Sequence, residues 1–300
     1  MGTIKIAIIG SGVVGQATGK GFASKGFDIT FVDVNPTIIE NLKKEGYNAY
    51  LATDTIPETD ISIFTVPTPT IDDEISLEYL KTAAKDLGKR IAKMKKYHLA
   101  VVRSTVPPGT TEDIITILEA YSGKKAGRDF GVCMNPEYLR EVSSVSDFAN
   151  PWIVVIGELD TKSGDLLEKV YSKFNCPIHR VSLKEAEMQK YVHNLYNASK
   201  ITFFNEMRRI AGSIGVNADT IFELTVKSCE GIWNPSYGTR DFGPFGGACL
   251  PKDTQAFLAW AKENNLQADL LESTIAVNKS FEKETAPVDT SSASYLRLPL

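Results

Sequence analysis

The feature that most constrains this chain lies in its first two dozen residues. A run that is apolar but for Lys5, residues 4–9, leads directly into Gly10-Ser11-Gly12-Val13-Val14-Gly15, and an amphipathic stretch over 13–24 follows. A strand that breaks into three glycines at this spacing and re-enters as a helix opens a βαβ unit. Gly10 permits the tight turn, Gly12 lets a ligand approach the backbone, and Gly15 lets helix and strand pack closely. The helix start then presents free N–H groups and partial positive charge to a pyrophosphate. The next apolar run, 29–32, ends in Asp33, where a carboxylate accepts from an adenosine ribose hydroxyl. That charge would repel a 2′-phosphate, and the Val34-Asn35-Pro36 turn has no Arg to offset it. The motif therefore reads as an NAD site built by Gly10, Gly12, Val13, Val14, Gly15 and Asp33. FAD shares the fingerprint, and a tight turn without ligand is the plainer alternative.

The same alternation continues along the chain: strand 29–32 then helix 37–45, strand 61–66 then helix 77–93, with further buried strands at 99–103, 152–156 and 178–181. This rhythm predicts an α/β fold, a Rossmann-like doubly wound parallel sheet over residues 1–185 with helices on both faces. From 186 to 283 the period is helical only, with segments at 184–213, 217–228, 253–264 and 268–281, which predicts a smaller all-helical domain. Residues 284–300 have no period and read as a tail.

Charge excludes several classes of partner. Against 37 acidic residues stand 33 basic ones, net −4, and the one basic cluster is Lys93, Lys95 and Lys96. No nucleic-acid partner is expected from that balance. No run reaches the roughly 20 apolar residues a spanning helix needs, and the N-terminus enters a strand at once, so no membrane association and a cytoplasmic location are expected. The four cysteines are far apart, with no CxxC pair, which argues against a metal site or a disulfide framework.

One of those cysteines stands out. Phe245-Gly246-Gly247-Ala248-Cys249-Leu250-Pro251-Lys252-Asp253 closes an irregular Gly/Pro-rich stretch, 231–251, of a length that usually carries function. Gly246 and Gly247 leave room for a substrate, Pro251 marks the start of the next helix, and that helix start together with Lys252 favours thiolate over thiol. A small buried apolar role suits Cys133, Cys176 and Cys229. Between two glycines and a charged pair, Cys249 fits it poorly. Lys190 and Asn194 stand four apart on the long helix and so share a face, as donors to one oxygen must; an ordinary solvated face is the alternative.

Taken in order, Gly10–Gly15 with Asp33, Val66-Pro67-Thr68-Pro69, Ser104-Thr105-Val106-Pro107-Pro108-Gly109-Thr110, Asn135-Pro136-Glu137-Tyr138-Leu139-Arg140-Glu141, Lys190 with Asn194, and Gly246 to Asp253 resemble the successive motifs of the UDP-glucose/GDP-mannose dehydrogenases. The resemblance runs to about residue 278. It implies a four-electron oxidation of a sugar CH₂OH to a carboxylate with two NAD per turnover, the substrate a nucleotide sugar, UDP-sugars ahead of GDP-sugars. Cys249 would capture the aldehyde as a thiohemiacetal and then carry a thioester. Lys190 and Asn194 would stabilise oxyanions and touch substrate, Asp253 would partner Lys190 and order a water, and Glu137, helped by Thr105, would act as base in hydrolysis. Thr68, Thr105, Glu141 and Lys252 would contact NAD, and Tyr138, Leu139 and Gly246 the sugar. Without the resemblance, Thr105 and Glu137 would read as turn and cap residues.

The resemblance stops short of the family's C-terminal UDP-binding domain, which leaves open whether the chain is active alone. It also departs before the thiol, where Arg240 is the candidate for a substrate arginine. Two other functions stay in view: a single-step β-hydroxyacid dehydrogenase, which has no use for Cys249, and a non-catalytic NAD-binding paralogue. Apolar positions such as Ile201, Phe204 and Ile210 on the long helix predict a homodimer through that helix, with packing inside one subunit as the alternative.

Overall fold

The computed structural model describes residues 3–140, 143–239, 243–247 and 249–284. Two compact units divide the chain, the first ending at Asn194 and the second beginning at Leu195. In the first unit the strands are β1 (Lys5–Ile9), β2 (Asp28–Asp33), β3 (Asn48–Leu51), β4 (Ile61–Phe64), the small hairpin β5 (Thr70–Ile71) and β6 (Glu74–Ile75), β7 (His98–Val102), β8 (Phe130–Met134), β9 (Val154–Glu158) and β10 (Ile178–Ser182). Its helices are α1 (Val13–Ser24), α2 (Pro36–Lys44), α3 (Glu78–Lys93), α4 (Thr110–Ser122), α5 (Ser144–Ala149) and α6 (Thr161–Tyr171). The long α7 (Leu183–Ser213) follows, then α8 (Ala218–Ser228), α9 (Glu230–Trp233), α10 (Leu250–Glu263) and α11 (Asp269–Glu284).

Eight strands form one sheet in the order β10-β9-β8-β7-β4-β1-β2-β3, which is the doubly wound arrangement the sequence predicts. Successive residues of the central strands serve opposite cores. Ile61, Ile63, Leu99 and Val101 pack with Ile6, Ile8, Phe22 and Phe31 on one face. Phe64, Ala100 and Val102 pack with Leu80, Leu87 and Leu118 on the other. Such strands must be apolar throughout, which is why they read as unbroken runs.

The sheet is not wholly parallel as expected: β8 and β9 run antiparallel, pairing Cys133 with Glu158 and Met134 with Gly157. After β8 the chain stays at the carboxyl edge of the sheet, lays α5 against α1, and re-enters from that same edge, so β9 has the opposite direction. The strand expected at 152–156 lies two residues later, and Trp152 is exposed.

In the second unit Ile210, Ala261 and Ala268 form a small core with Met207, Leu258 and Leu271. Glu206 accepts from the main-chain N–H groups of Leu270 (2.9 Å) and Leu271 (3.3 Å) and so caps α11. Of the three positions expected to face a second copy, Ile210 is buried within its own unit, Phe204 packs edge-on against Phe222, and Ile201 is exposed. Among the described residues no helix is long and apolar enough to cross a membrane.

Candidate active site

The sheet order reverses between β1 and β4, and at their carboxyl ends lies a crevice of about 290 Å³. Gly12, Val13 and Val14 line one side of it, and Thr68, Thr105 and Glu137 the other. The three glycines differ in what confines them. A Cβ on Gly10, whose φ is +93°, would sit 2.8 Å from the Val66 nitrogen, and one on Gly15 would sit 2.0 Å from the Gly10 carbonyl oxygen. Nothing lies within 4 Å of a Cβ built on Gly12. Two glycines thus close the turn against the protein, and the third leaves open space at the N-terminus of α1, where a pyrophosphate is stabilised by the free N–H groups. These residues fit NAD.

At the end of β2, Asp33 accepts from the Ser11 N–H through Oδ2 (2.5 Å) and from the Asn35 N–H through Oδ1 (2.8 Å). The carboxylate is thereby fixed beside the glycine turn. Its remaining lone pairs are free for ribose hydroxyls. Across the crevice the Thr68 hydroxyl donates to the Thr105 carbonyl (2.8 Å), tying the exits of β4 and β7 together.

The chemistry-bearing groups of this unit meet where β8 gives way to residues 135–140. Lys190, one turn and more into α7, points its ammonium at Glu137: Nζ lies 3.1 Å from Oε1 and donates to the Glu137 carbonyl at 2.5 Å. Both side chains are largely buried, 6% and 15% exposed, so the pair sits where an ion pair is weakly screened. The other Glu137 oxygen, Oε2, accepts from the Leu139 N–H (2.6 Å). Tyr138 donates its hydroxyl to Gln189 and packs at a tilt against His193 with ring centroids 4.9 Å apart. Burial pushes its phenol up to about 12, and burial, then the nearby Lys190 charge, pulls His193 down. Asn194, one turn beyond Lys190, is exposed.

Two residues that sequence reasoning missed hold this turn in place. Asn135, fully buried, accepts at Oδ1 from Arg103 Nη1 (2.5 Å) and from the Tyr171 hydroxyl (2.6 Å), and donates through Nδ2 to the Val155 carbonyl (2.8 Å). Arg103, also buried, adds a bond from Nε to the Thr18 hydroxyl (3.1 Å) and stands over the Phe148 ring. The available signal was a charged residue ending an apolar strand, and an Asn before Pro at the end of another. Beyond the turn, Arg140 and Asp147 form a two-pronged ion pair (2.7 and 3.0 Å), and the Arg140 guanidinium holds the Asp147 carboxyl well below the usual carboxylate range.

In the second unit Cys249 is exposed and stands at the N-cap of α10, with Pro251 in the first turn and the Asp253 N–H donating to the Cys249 carbonyl (2.8 Å). No Cβ contact confines Gly246 or Gly247. Lys252 pairs with Asp253, both exposed. The stretch before the thiol is tied to α11 by Asn278, which accepts from the Phe245 N–H (2.7 Å) and donates to its carbonyl (3.0 Å). Glu141 and Arg240 lie outside the described residues.

Comparison with known proteins finds matches along both parts of the chain. The NAD binding domain of the UDP-glucose/GDP-mannose dehydrogenase family matches residues 4–52 and 47–175, and the central domain of that family matches 184–280. The GDP-mannose 6-dehydrogenase of Pseudomonas putida is 36% identical over 301 residues, spanning 92% of this chain and 68% of that protein. The UDP-glucose 6-dehydrogenase of Haloferax volcanii is 34% identical, over 92% of this chain and 69% of that protein. A crystal structure of a ternary complex of GDP-mannose dehydrogenase from Pseudomonas aeruginosa superposes with a TM-score of 0.87 at 34% identity, covering 93% of this chain and 69% of that one. A UDP-glucose dehydrogenase from Pyrobaculum islandicum gives 0.71 at 32%, over 93% of this chain and 68% of that one. On these matches, this chain belongs to the UDP-glucose/GDP-mannose dehydrogenase family.

Proposed function

We propose that the chain oxidises the 6-hydroxymethyl group of a nucleotide sugar to a carboxylate in two two-electron stages, with Cys249 as the nucleophile between them. The observation that carries this reading is the Lys190 ammonium held against Glu137 at the wall of the dinucleotide crevice. When bound, NAD supplies the hydride acceptor, once per stage. Gly10, Gly12, Val13, Val14, Gly15, Asp33, Thr68 and Thr105 hold it.

The residues of the chain divide the remaining work. Lys190 and Asn194 donate to the substrate oxygen and stabilise the negative charge that develops there. The Cys249 thiolate adds to the aldehyde carbon, forming a C–S bond whose oxyanion takes up a proton to give the thiohemiacetal. Loss of the C–H hydrogen as hydride, two further electrons with one proton, together with loss of the hydroxyl proton, converts this adduct to a thioester. Glu137 accepts a proton from water as that water attacks the thioester carbon, and the C–S bond breaks to release carboxylate and thiol. Thr105 and Asp253 orient the water, Tyr138, Leu139 and Gly246 contact the sugar, and Glu141, Lys252 and Arg240 complete the cofactor and substrate contacts. The relatives' names supply two candidates for the substrate, GDP-mannose and UDP-glucose.

A second copy covers exposed apolar side chains of α7, among them Leu195, Tyr196, Ile201 and Phe203, all more than two-fifths exposed, giving a homodimer. Sedimentation that finds a monomer at micromolar concentration contradicts it.

NADH counted per sugar consumed tests the function with UDP- and GDP-sugars. Two NADH per carboxylate formed supports the reading. One NADH with an alcohol-to-carbonyl product points instead to a single-step dehydrogenase, and none with any sugar overturns the enzymatic assignment.

A further inference from the structure

Helix α4 begins at Thr110 after Pro107-Pro108-Gly109, and Gly109, its N-cap at φ +98°, has no side chain with which to satisfy the free N–H groups of the first turn. The cap comes instead from Glu187, 78 residues away on α7. Its Oε2 accepts from the Gly109 N–H (2.6 Å), and its Oε1 accepts from both the Thr111 N–H (2.7 Å) and the Thr111 hydroxyl (2.6 Å). The Glu187 side chain is completely buried. A carboxylate so placed is balanced by three hydrogen bonds and by the positive end of the α4 dipole, so its geometry is tightly determined.

Three residues further along the same face of α7 stands Lys190, whose ammonium reaches Glu137. The chain segment that Glu187 grips begins four residues after Thr105. One turn of α7 therefore touches both loops that flank the crevice, one through Glu187 and one through Lys190. Sliding or rotating α7 would break the Glu187 bonds before it moved Lys190 out of reach of Glu137. We propose that Glu187 is a positioning residue: by capping α4 from α7, it fixes the axial register that delivers Lys190 to Glu137 and holds the Thr105 loop opposite.

The consequence for turnover rests on the function proposed above, but the positioning itself is readable without it. In native protein, Lys190, nearly buried, reacts slowly with an acetylating reagent, and the exposed Lys95 serves as internal reference. In Glu187→Gln, which keeps the shape but loses the charge and one acceptor oxygen, acetylation of Lys190 measured by peptide mass spectrometry rises about tenfold relative to Lys95. NAD affinity stays within about threefold, because the glycine turn is untouched, while kcat falls about tenfold or more. Thr111→Val deletes only the hydroxyl donor and gives a smaller rise in the same direction, which keeps the test available if the Gln variant does not fold. Leu87→Ala, a cavity variant of the same unit brought to an equal loss of Tm, leaves Lys190 protected. If Lys190 stays as protected in Glu187→Gln and Thr111→Val as in native protein, Glu187 is only a helix cap and the proposal fails. If native protein shows no turnover with any sugar, the functional reading fails and the labelling result stands by itself.

Discussion

The Lys190 ammonium makes two contacts with one residue, lying 3.1 Å from the Glu137 carboxylate and 2.5 Å from the Glu137 main-chain carbonyl. The first contact is broken by protonating or neutralising the acid, but the second is not. Lys190 thus keeps a fixed position while Glu137 exchanges a proton, which is what a base beside an oxyanion donor needs.

Removing either partner strands the other in a largely buried site. Lys190→Ala and Glu137→Gln are each expected to lower kcat by about 10² to 10³. Lys190→Ala is also expected to lower stability by about 3 kcal/mol, since the carboxylate loses its counter-charge. Steady-state kinetics and urea denaturation of the two single variants and the double variant check this. The double variant should be far less impaired than the product of the singles, because the two groups act as one unit.

The three glycines of the turn make separable predictions. Gly15→Ala must push a methyl into the Gly10 carbonyl 2.0 Å away, so it should cost several kcal/mol of stability and abolish NAD binding together. Gly12→Ala meets no protein atom within 4 Å and should change stability by about 1 kcal/mol or less, yet weaken NAD at least about tenfold, because the methyl occupies the approach to the backbone. Thermal unfolding read beside NAD titration distinguishes the two; equal loss of affinity and stability in Gly12→Ala would contradict the assignment of that space to the cofactor.

His98, at the start of β7, is buried and neutral. Its Nδ1–H donates to the Thr59 carbonyl (2.9 Å) and its Nε2 accepts from the Ser62 hydroxyl (3.0 Å). Burial above all, with the nearby Arg90 charge adding to it, lowers its pKa from 6.5 to about 4. The unfolded chain takes up this proton near pH 6.5 and the folded chain only near 4. Protonation therefore favours unfolding, and stability falls as pH drops through that window, by on the order of 3 kcal/mol. Urea denaturation of native protein and His98→Asn should give curves that converge as pH falls from 6.5 to 4. A constant difference between them would contradict it.

What was legible in the sequence and what was not have a common physical explanation. The glycine turn, Asp33 and the start of α7 announce themselves because their partners are local. At α7, for example, Ser182 and Glu185 cap each other reciprocally (2.7 and 3.3 Å), the signature of a helix start. Helix α4 gave no such signal, since its cap is Glu187 rather than a neighbour in sequence. Strand β8 was hidden by Gly131, which is there because a Cβ would lie 2.5 Å from the Ser163 and Tyr97 oxygens. The site behaved alike. Cys249 with its glycines, and Lys190 with Asn194, are patterns of spacing. Arg103, Asn135 and Glu187 matter through partners brought in from other strands and helices, and short-range pattern does not carry that information.

The proposed mechanism requires a covalent bond to Cys249. With Glu137→Gln, which slows hydrolysis of the thioester, protein incubated with NAD and the reactive sugar nucleotide should carry, by intact and peptide mass spectrometry, one oxidised sugar nucleotide on Cys249. Glu137→Gln/Cys249→Ser should carry none. Sustained formation of carboxylate by Cys249→Ser, with no adduct at residue 249 in any variant, would contradict the account.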